Sequence, residues 1–245
     1  MNRFLLLLFT CLLLSSCEEL DIKQEMTQFD EVFIPTWYYS YTKDLVRASM
    51  AANTMMQQWQ NLKTDYQYIS GSSVDWQETY DCIDELMSQS IQAIEQKNLT
   101  HALNYLEGIK FELAELRRRY HIPYYLDKVW SFQSAYDLVY QFAHPDYIFT
   151  TEWHEFDCLV EDMNLAWAEV VNSKLDTNWN PTKQQRFEVL KTTITAQLKQ
   201  FDRDVKKANV ESDILYSKVK QIQTTMLALI KLFGQFGSLD SGQIY

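Results

Sequence analysis

Glycine is nearly missing from this chain, at five residues among 245. With so few, there is no Gly-x-Ser-x-Gly nucleophile elbow and no Walker-type loop whose backbone N–H groups could cradle a phosphate. Proline is equally sparse, at four residues. Each one sits where a helix should begin: Pro35, Pro123, Pro145 and Pro181. Proline is tolerated in a first turn because its missing N–H would have had no intrahelical partner. Basic residues are outnumbered, 22 against 33 acids, for a formal charge of −11. Affinity for phosphate backbones comes largely from Lys and Arg, so nucleic acid is excluded as a partner. No segment alternates with a two-residue period, which excludes a sheet.

Metal and cofactor signatures are missing too. There is no Cys-x-x-Cys-His for covalent haem attachment and no His-Glu-x-x-His for a zinc peptidase. The residues three before His101, His121, His144 and His154 are Asn98, Arg118, Gln141 and Thr151. The Glu-x-x-His pair of di-iron bundles is therefore absent. Carboxylates are abundant, yet no pair stands out as an acid/base couple. No apolar run approaches the roughly 20 residues needed to cross a hydrocarbon core; the best, Phe4 to Leu14, is interrupted by Thr10.

That run is nevertheless informative. Met1-Asn2-Arg3 is a short positive start, Phe4 to Leu14 an apolar centre, and small residues follow before a cut point. This is the pattern of a secretory signal peptide. Its ending, Leu14-Ser15-Ser16-Cys17, resembles the lipobox of bacterial lipoproteins: a branched residue, two small residues and a cysteine. The resemblance implies lipidation of the Cys17 sulfur, removal of residues 1–16 and acylation of the new amino group. One acyl chain holds a protein marginally and two hold it stably, at about 0.8 kcal/mol per buried CH2. By analogy with other lipoproteins, Glu18 in place of Asp points to the outer membrane, facing the periplasm or the cell surface. Residues 17–33, "CEELDIKQEMTQFDEVF", are polar and acidic and read as a tether.

Residues 34–245 read as a single all-helical domain. Apolar residues step by three and four along seven segments. Leu45, Ala48, Ala52, Met55, Trp59, Leu62 and Tyr66 mark the first. Trp76, Tyr80, Ile83, Met87 and Ile94 mark the second, after a Ser72 or Ser73 cap. Leu99, Leu106, Lys110, Leu113 and Leu116 mark the third, after Asn98. Tyr125, Val129, Phe132, Tyr136 and Val139 form a fourth stripe. Phe156, Val160, Met163, Trp167 and Val170 form a fifth, after Thr150 or Thr151. Phe187 to Val205 and Leu215 to Phe233 supply two more, the first capped by Asn180-Pro181. A duplication is one reading of this order. Aligning Trp59 with Trp167 sets Met55 against Met163, and Lys97-Asn98-Leu99 resembles Ala208-Asn209-Val210. The expectation is an all-α helical bundle of about seven helices: pseudo-repeated three-helix halves, 34–120 and 146–235, joined by a linking helix over 123–143.

Candidate chemistry is thin. His154, Cys158 and Asp162 are spaced four and four, so they line one helix face, where imidazole, thiolate and carboxylate together suit a transition metal. That line lies about 150° from the apolar stripe of its own helix. A polar helix face is the competing explanation. Met50, Met55, Met56 and Met163 suit Cu(I) or, more simply, gap filling in a core. A non-covalent haem is the other cofactor alternative. Cys82 and Cys158 remain once Cys17 is lipidated, and in an oxidising compartment they are candidates for a disulfide. Arg117-Arg118-Arg119 either contacts anionic headgroups or complements a helix dipole. Tyr38, Tyr39 and Tyr124 are the aromatics expected to stay exposed. The sequence thus points to a cell-envelope lipoprotein without cofactor or catalysis. It is held to the membrane through Cys17 and binds another envelope protein or a glycan. The alternative is a metal- or haem-binding helical protein using His154 and Cys158.

Overall fold

The computed structural model describes residues 2–68, 73–148, 152–175, 179–207 and 211–240, with side chains from Ile22 onward apart from Ser238 and Asp240. Thr150, Thr151, Ser72 and Asn209 lie outside the described residues, as does the side chain of Cys17. Helices make up the fold, with no strand among the described residues. Eight of those described are long. The chain divides into two compact units, Met1–Tyr124 with Gly234–Tyr245, and Tyr125–Phe233.

The first unit is built from α1 (Asn2–Tyr41), α2 (Leu45–Tyr66), α3 (Val74–Glu95) and α4 (Leu99–Arg119). Helix α1 packs on α2 and α4, and α3 packs on α4 and α2. Side chains start three of these helices. Asp44 accepts from the Arg47 N–H at 3.1 Å, Ser73 from Trp76 at 3.4 Å and Asn98 from His101 at 3.2 Å. Helix ends usually turn on a left-handed glycine, and this chain has almost none. Lys43 (φ 63°), Lys97 (φ 60°) and His121 (φ 57°) take that conformation instead. Around each, a backbone pair closes the end, as where Asn98 N–H donates to the Ala93 carbonyl at 2.8 Å.

Helix α1 corrects two expectations. Residues 22–33 are not a tether: Ile22, Met26, Phe29 and Phe33 step by four, three and four and are buried. The acids between them hid a stripe that belongs to the core. Nor does Pro35 begin a helix, since it lies inside α1. A proline there cannot donate to the carbonyl four residues back. That carbonyl, on Glu31, instead accepts from the Gln235 backbone N–H at 2.7 Å. The C-terminal segment thus fills the gap that Pro35 leaves. Gly234 sits so close that an added Cβ would lie 2.8 Å from both Ile34 and Phe236. Phe236 packs on Tyr38 and Tyr39, and Arg47 Nε donates to the Leu239 carbonyl at 2.8 Å, near the short α10 (Gly237–Asp240).

The second unit contains α5 (Tyr125–Phe142), the single turn α6 (Pro145–Ile148), α7 (Trp153–Asn172), α8 (Pro181–Val205) and α9 (Ser212–Ile230), which ends in a 3-10 turn over Lys231–Phe233. Asn180 caps α8 by accepting from Lys183 N–H at 2.9 Å, with Pro181 in the first turn. Helix α5 packs on α7 and α9, and α8 on α9 and α7. The helix expected to link two halves is therefore a full member of this unit. Its Tyr125 hydroxyl donates to the Val170 carbonyl at 2.8 Å, and its Tyr136 hydroxyl to the Val219 carbonyl at 3.0 Å.

Candidate functional site

The densest set of polar side chains lies between α1 and α4 of the first unit. On α4, Lys110 and Arg117 are a heptad apart and share the apolar face of Leu106, Leu113 and Leu116, so both are buried. They meet Trp37 and Asp30, a heptad apart on α1. Near Trp37, the indole Nε1–H donates to Glu107 Oε1 at 2.6 Å, and Lys110 Nζ lies 2.6 Å from Glu107 Oε2. The same ammonium stands 5.0 Å from the Trp37 ring centroid. Near Asp30, the Arg117 guanidinium approaches Oδ2 at 3.9 Å and lies over the Tyr124 ring at 4.3 Å. The Tyr124 hydroxyl donates to Asp30 Oδ2 at 2.7 Å.

These groups hold the helices and do not suit acid/base chemistry. Burial, with the Asp30 carboxylate beside it, pushes the Tyr124 phenol well above its usual range. Burial does the same to Tyr80. Both phenols are thereby held in the protonated form, and Tyr124 uses its proton to donate to Asp30. A buried charge persists when paired and hydrogen-bonded, and Asp30 has both a guanidinium and a phenol. The best-formed surface depressions among the described residues lie elsewhere, one beside Lys43, Lys97 and Thr100, the other beside Ser173, Gln184 and Lys191.

The residues singled out from the sequence fare differently. His154, Cys158 and Asp162 do share a face of α7 and are exposed, with His154 Nε2 4.0 Å from Cys158 Sγ. No group of three His, Cys, Asp or Glu among the described residues is placed to hold a metal ion. Cys82 and Cys158 are exposed free thiols, one in each unit. Burial, then Glu112 and Glu85, raise the Cys82 thiol. Met55 and Met163 fill the two cores, each in its own unit, while Met50 is exposed.

The arginine run splits in three. Arg117 is buried, Arg118 pairs with Glu115, and Arg119 lies 3.4 Å from Asp75. Of the tyrosines expected at the surface, Tyr39 is buried and Tyr124 is enclosed by Asp30 and Arg117. Tyr38 is half-buried against Phe236. Sequence reasoning missed Asp30 altogether, although its place beside Phe29 and Phe33 was the available signal. Compared with protein-family models, with curated proteins and with solved structures, the chain matches none.

Proposed function

We propose that this protein is a lipid-anchored, non-catalytic helical protein of the cell envelope, fixed through Cys17 and binding another envelope component. One observation carries the reading, the apolar run that ends in Leu14-Ser15-Ser16-Cys17. No helix among the described residues is long and apolar enough to cross a membrane, which accords with attachment by acyl chains. The outer membrane is the location that Glu18 favours. The test is mass analysis of the N-terminal peptide from native protein, together with detergent partitioning of Cys17→Ala. An acylated peptide beginning at Cys17, and loss of membrane association in the variant, are the expected results. An uncleaved Leu14–Glu18 stretch in mature protein would sink the reading.

We further propose that the units are two copies of one four-helix ancestor, with α1 to α4 matching α5, α7, α8 and α9. The order of helix neighbours supports this, being the same in both units. So does the register of burial. Ala48, Ala52, Met55, Trp59 and Leu62 on α2 match Phe156, Val160, Met163, Trp167 and Val170 on α7 at identical spacing. Leu106, Ile109, Leu113, Leu116 and Arg117 on α4 match Val219, Ile222, Met226, Leu229 and Ile230 on α9 in the same way. In both units the matched indole donates to the next helix, Trp59 to Asp84 at 2.9 Å and Trp167 to Thr195 at 2.9 Å. Sequences of relatives, aligned half against half, test the idea. All four helix pairs should keep this register, and a shift in any pair would count decisively against it.

A further inference from the structure

We propose that one end of the first unit is a membrane-seating surface: the end formed by α1 around Ile22, the last turn of α2 with Tyr68, and the first turn of α3 lies directly on the bilayer. The inference rests on the lipid attachment proposed for Cys17. Its new content is that the anchored body does not swing on a tether. Ile22 is already buried at 5% exposure, so the core begins five residues after Cys17. Those residues reach at most about 18 Å when fully extended, at roughly 3.6 Å each.

The geometry determines which end is held there. Helix α2 runs antiparallel to α1, with Phe29 against Trp59 at 5.7 Å between ring centroids. Seven residues back from Phe29 is Ile22, and seven on from Trp59 is Tyr66, so these lie at one level. Trp76 Nε1 donates to the Tyr66 carbonyl at 2.8 Å, which brings the start of α3 to the same end. The far end, at Glu95 and Lys97, is about 33 Å away along the 22 residues of α3.

The surface there suits a headgroup layer. Tyr68, at 72%, and Val74, at 68%, are the two most exposed large apolar side chains among the described residues, and both lie at this end. Tyrosine favours the membrane interface, where its ring is apolar and its hydroxyl wet. The nearby cations are balanced, Arg118 by Glu115 and Arg119 by Asp75. Glu18, Glu19 and Asp21, between the anchor and Ile22, make this end acidic, so a zwitterionic leaflet suits it better than an anionic one.

The test uses the full acylated protein in vesicles containing a lipid that carries a headgroup quencher. Cys82 and Cys158 are replaced by serine, and a fluorophore is placed at Tyr68→Cys or at Glu95→Cys, both exposed positions. Acylation of Cys17 is read by mass on the same samples, so failure of the anchor is recognised separately. With acylation present, quenching at position 68 should exceed that at position 95 at least threefold. A flexible spacer of about twenty residues inserted after Glu18 should bring the two positions close together. Equal quenching at both positions of the acylated protein would overturn the proposal, as would full quenching at position 68 despite the spacer.

Discussion

The two units share a helix order yet differ in what they bury. The first has charge in its interior: Asp30, Lys110 and Arg117 are all below a tenth exposed. The second buries the neutral Gln133, and its buried Asp204 is met from the surface by Lys207 and Lys218. A tyrosine illustrates the difference. The Tyr124 hydroxyl donates a hydrogen bond to a carboxylate, while that of Tyr136 donates to the backbone carbonyl of Val219. The same framework is thus held by ion pairs in one unit and mainly by apolar packing in the other. Buried ion pairs are poor sources of net stability but are severe when half-removed. The first unit should therefore be the one that single substitutions break.

The largest effect tests this directly. Arg117→Met leaves Asp30 buried without its guanidinium, and should cost the first unit about 3–5 kcal/mol. Asp30→Leu together with Arg117→Met should recover most of that loss, because two apolar groups leave no orphaned charge. Gln133→Leu, at a buried neutral side chain of the second unit, should cost no more than about 1–2 kcal/mol. Denaturant unfolding followed at both units checks all three. If the double variant is as weak as Arg117→Met alone, the account of the seam as a paired charge is wrong.

A second difference concerns how the first unit is closed, since among the described residues a remote segment completes a helix there, where Gln235 N–H meets the Glu31 carbonyl. Gly234→Ala would drive a methyl into Ile34 and Phe236, at a cost of about 1–3 kcal/mol. Gln235→Pro removes the N–H that satisfies the Glu31 carbonyl and should cost about 1–3 kcal/mol. In a Pro35→Ala background α1 can supply its own donor, so the Gln235→Pro penalty should shrink by at least half. Equal penalties in the two backgrounds would separate Pro35 from the docking of the tail.

The matched tryptophans make a finer comparison. Trp59→Phe removes a donor from Asp84, a charged acceptor, and hydrogen bonds to charged groups are worth about 1.5–3 kcal/mol. Asp84 is partly exposed, which places the expected loss near the bottom of that range. Trp167→Phe removes a neutral bond to Thr195, worth about 0.5–1.5 kcal/mol. Thermal unfolding of the two variants should rank them in that order, and the reverse ranking would show that packing outweighs the acceptor's charge.

How far these features can be read from sequence depends on distance along the chain. Seven helices follow from local spacing, because a stripe such as Met55, Trp59 and Leu62 is complete within a few turns. Helix α1 has the same spacing but alternates it with acids, and composition masked the period. Pro35 inside a helix is not legible at all, since its compensation comes from Gln235 near the other end of the chain. Arg117 reads as a surface cation because it sits in a helix's last turn. Only the approach of Asp30 and Tyr124 from elsewhere makes it internal. The proposed lipobox, Leu14-Ser15-Ser16-Cys17, is the opposite case: a short contiguous motif whose reading needs no contact from elsewhere in the chain.

Acid gives the smallest effect and compares the two interiors without mutation. Hydrogen bonds from Gln200, Lys207 and Lys218 hold the Asp204 carboxyl well below the usual carboxylate range. Asp84 is shifted the same way: burial opposes it, but hydrogen bonds from Lys63, Trp59 and Gln60 prevail. For a depressed carboxyl, the folded form binds its proton less readily than the unfolded chain does. The stabilisation is present above the unfolded value of about 3.9 and is lost as pH falls through the lower folded value. Both units should therefore weaken below about pH 4; in the second the loss centres on the enclosed Asp204, whereas in the first Asp84 shares it with Asp44, Asp75 and Glu115, which are also held low. Asp204→Asn should flatten the acid limb of the second unit and leave that of the first, while Asp84→Asn should make that of the first shallower without abolishing it and leave that of the second. Stability curves between pH 2 and 6 distinguish these outcomes. An acid limb of the second unit that survives Asp204→Asn would place its acid sensitivity in other carboxylates.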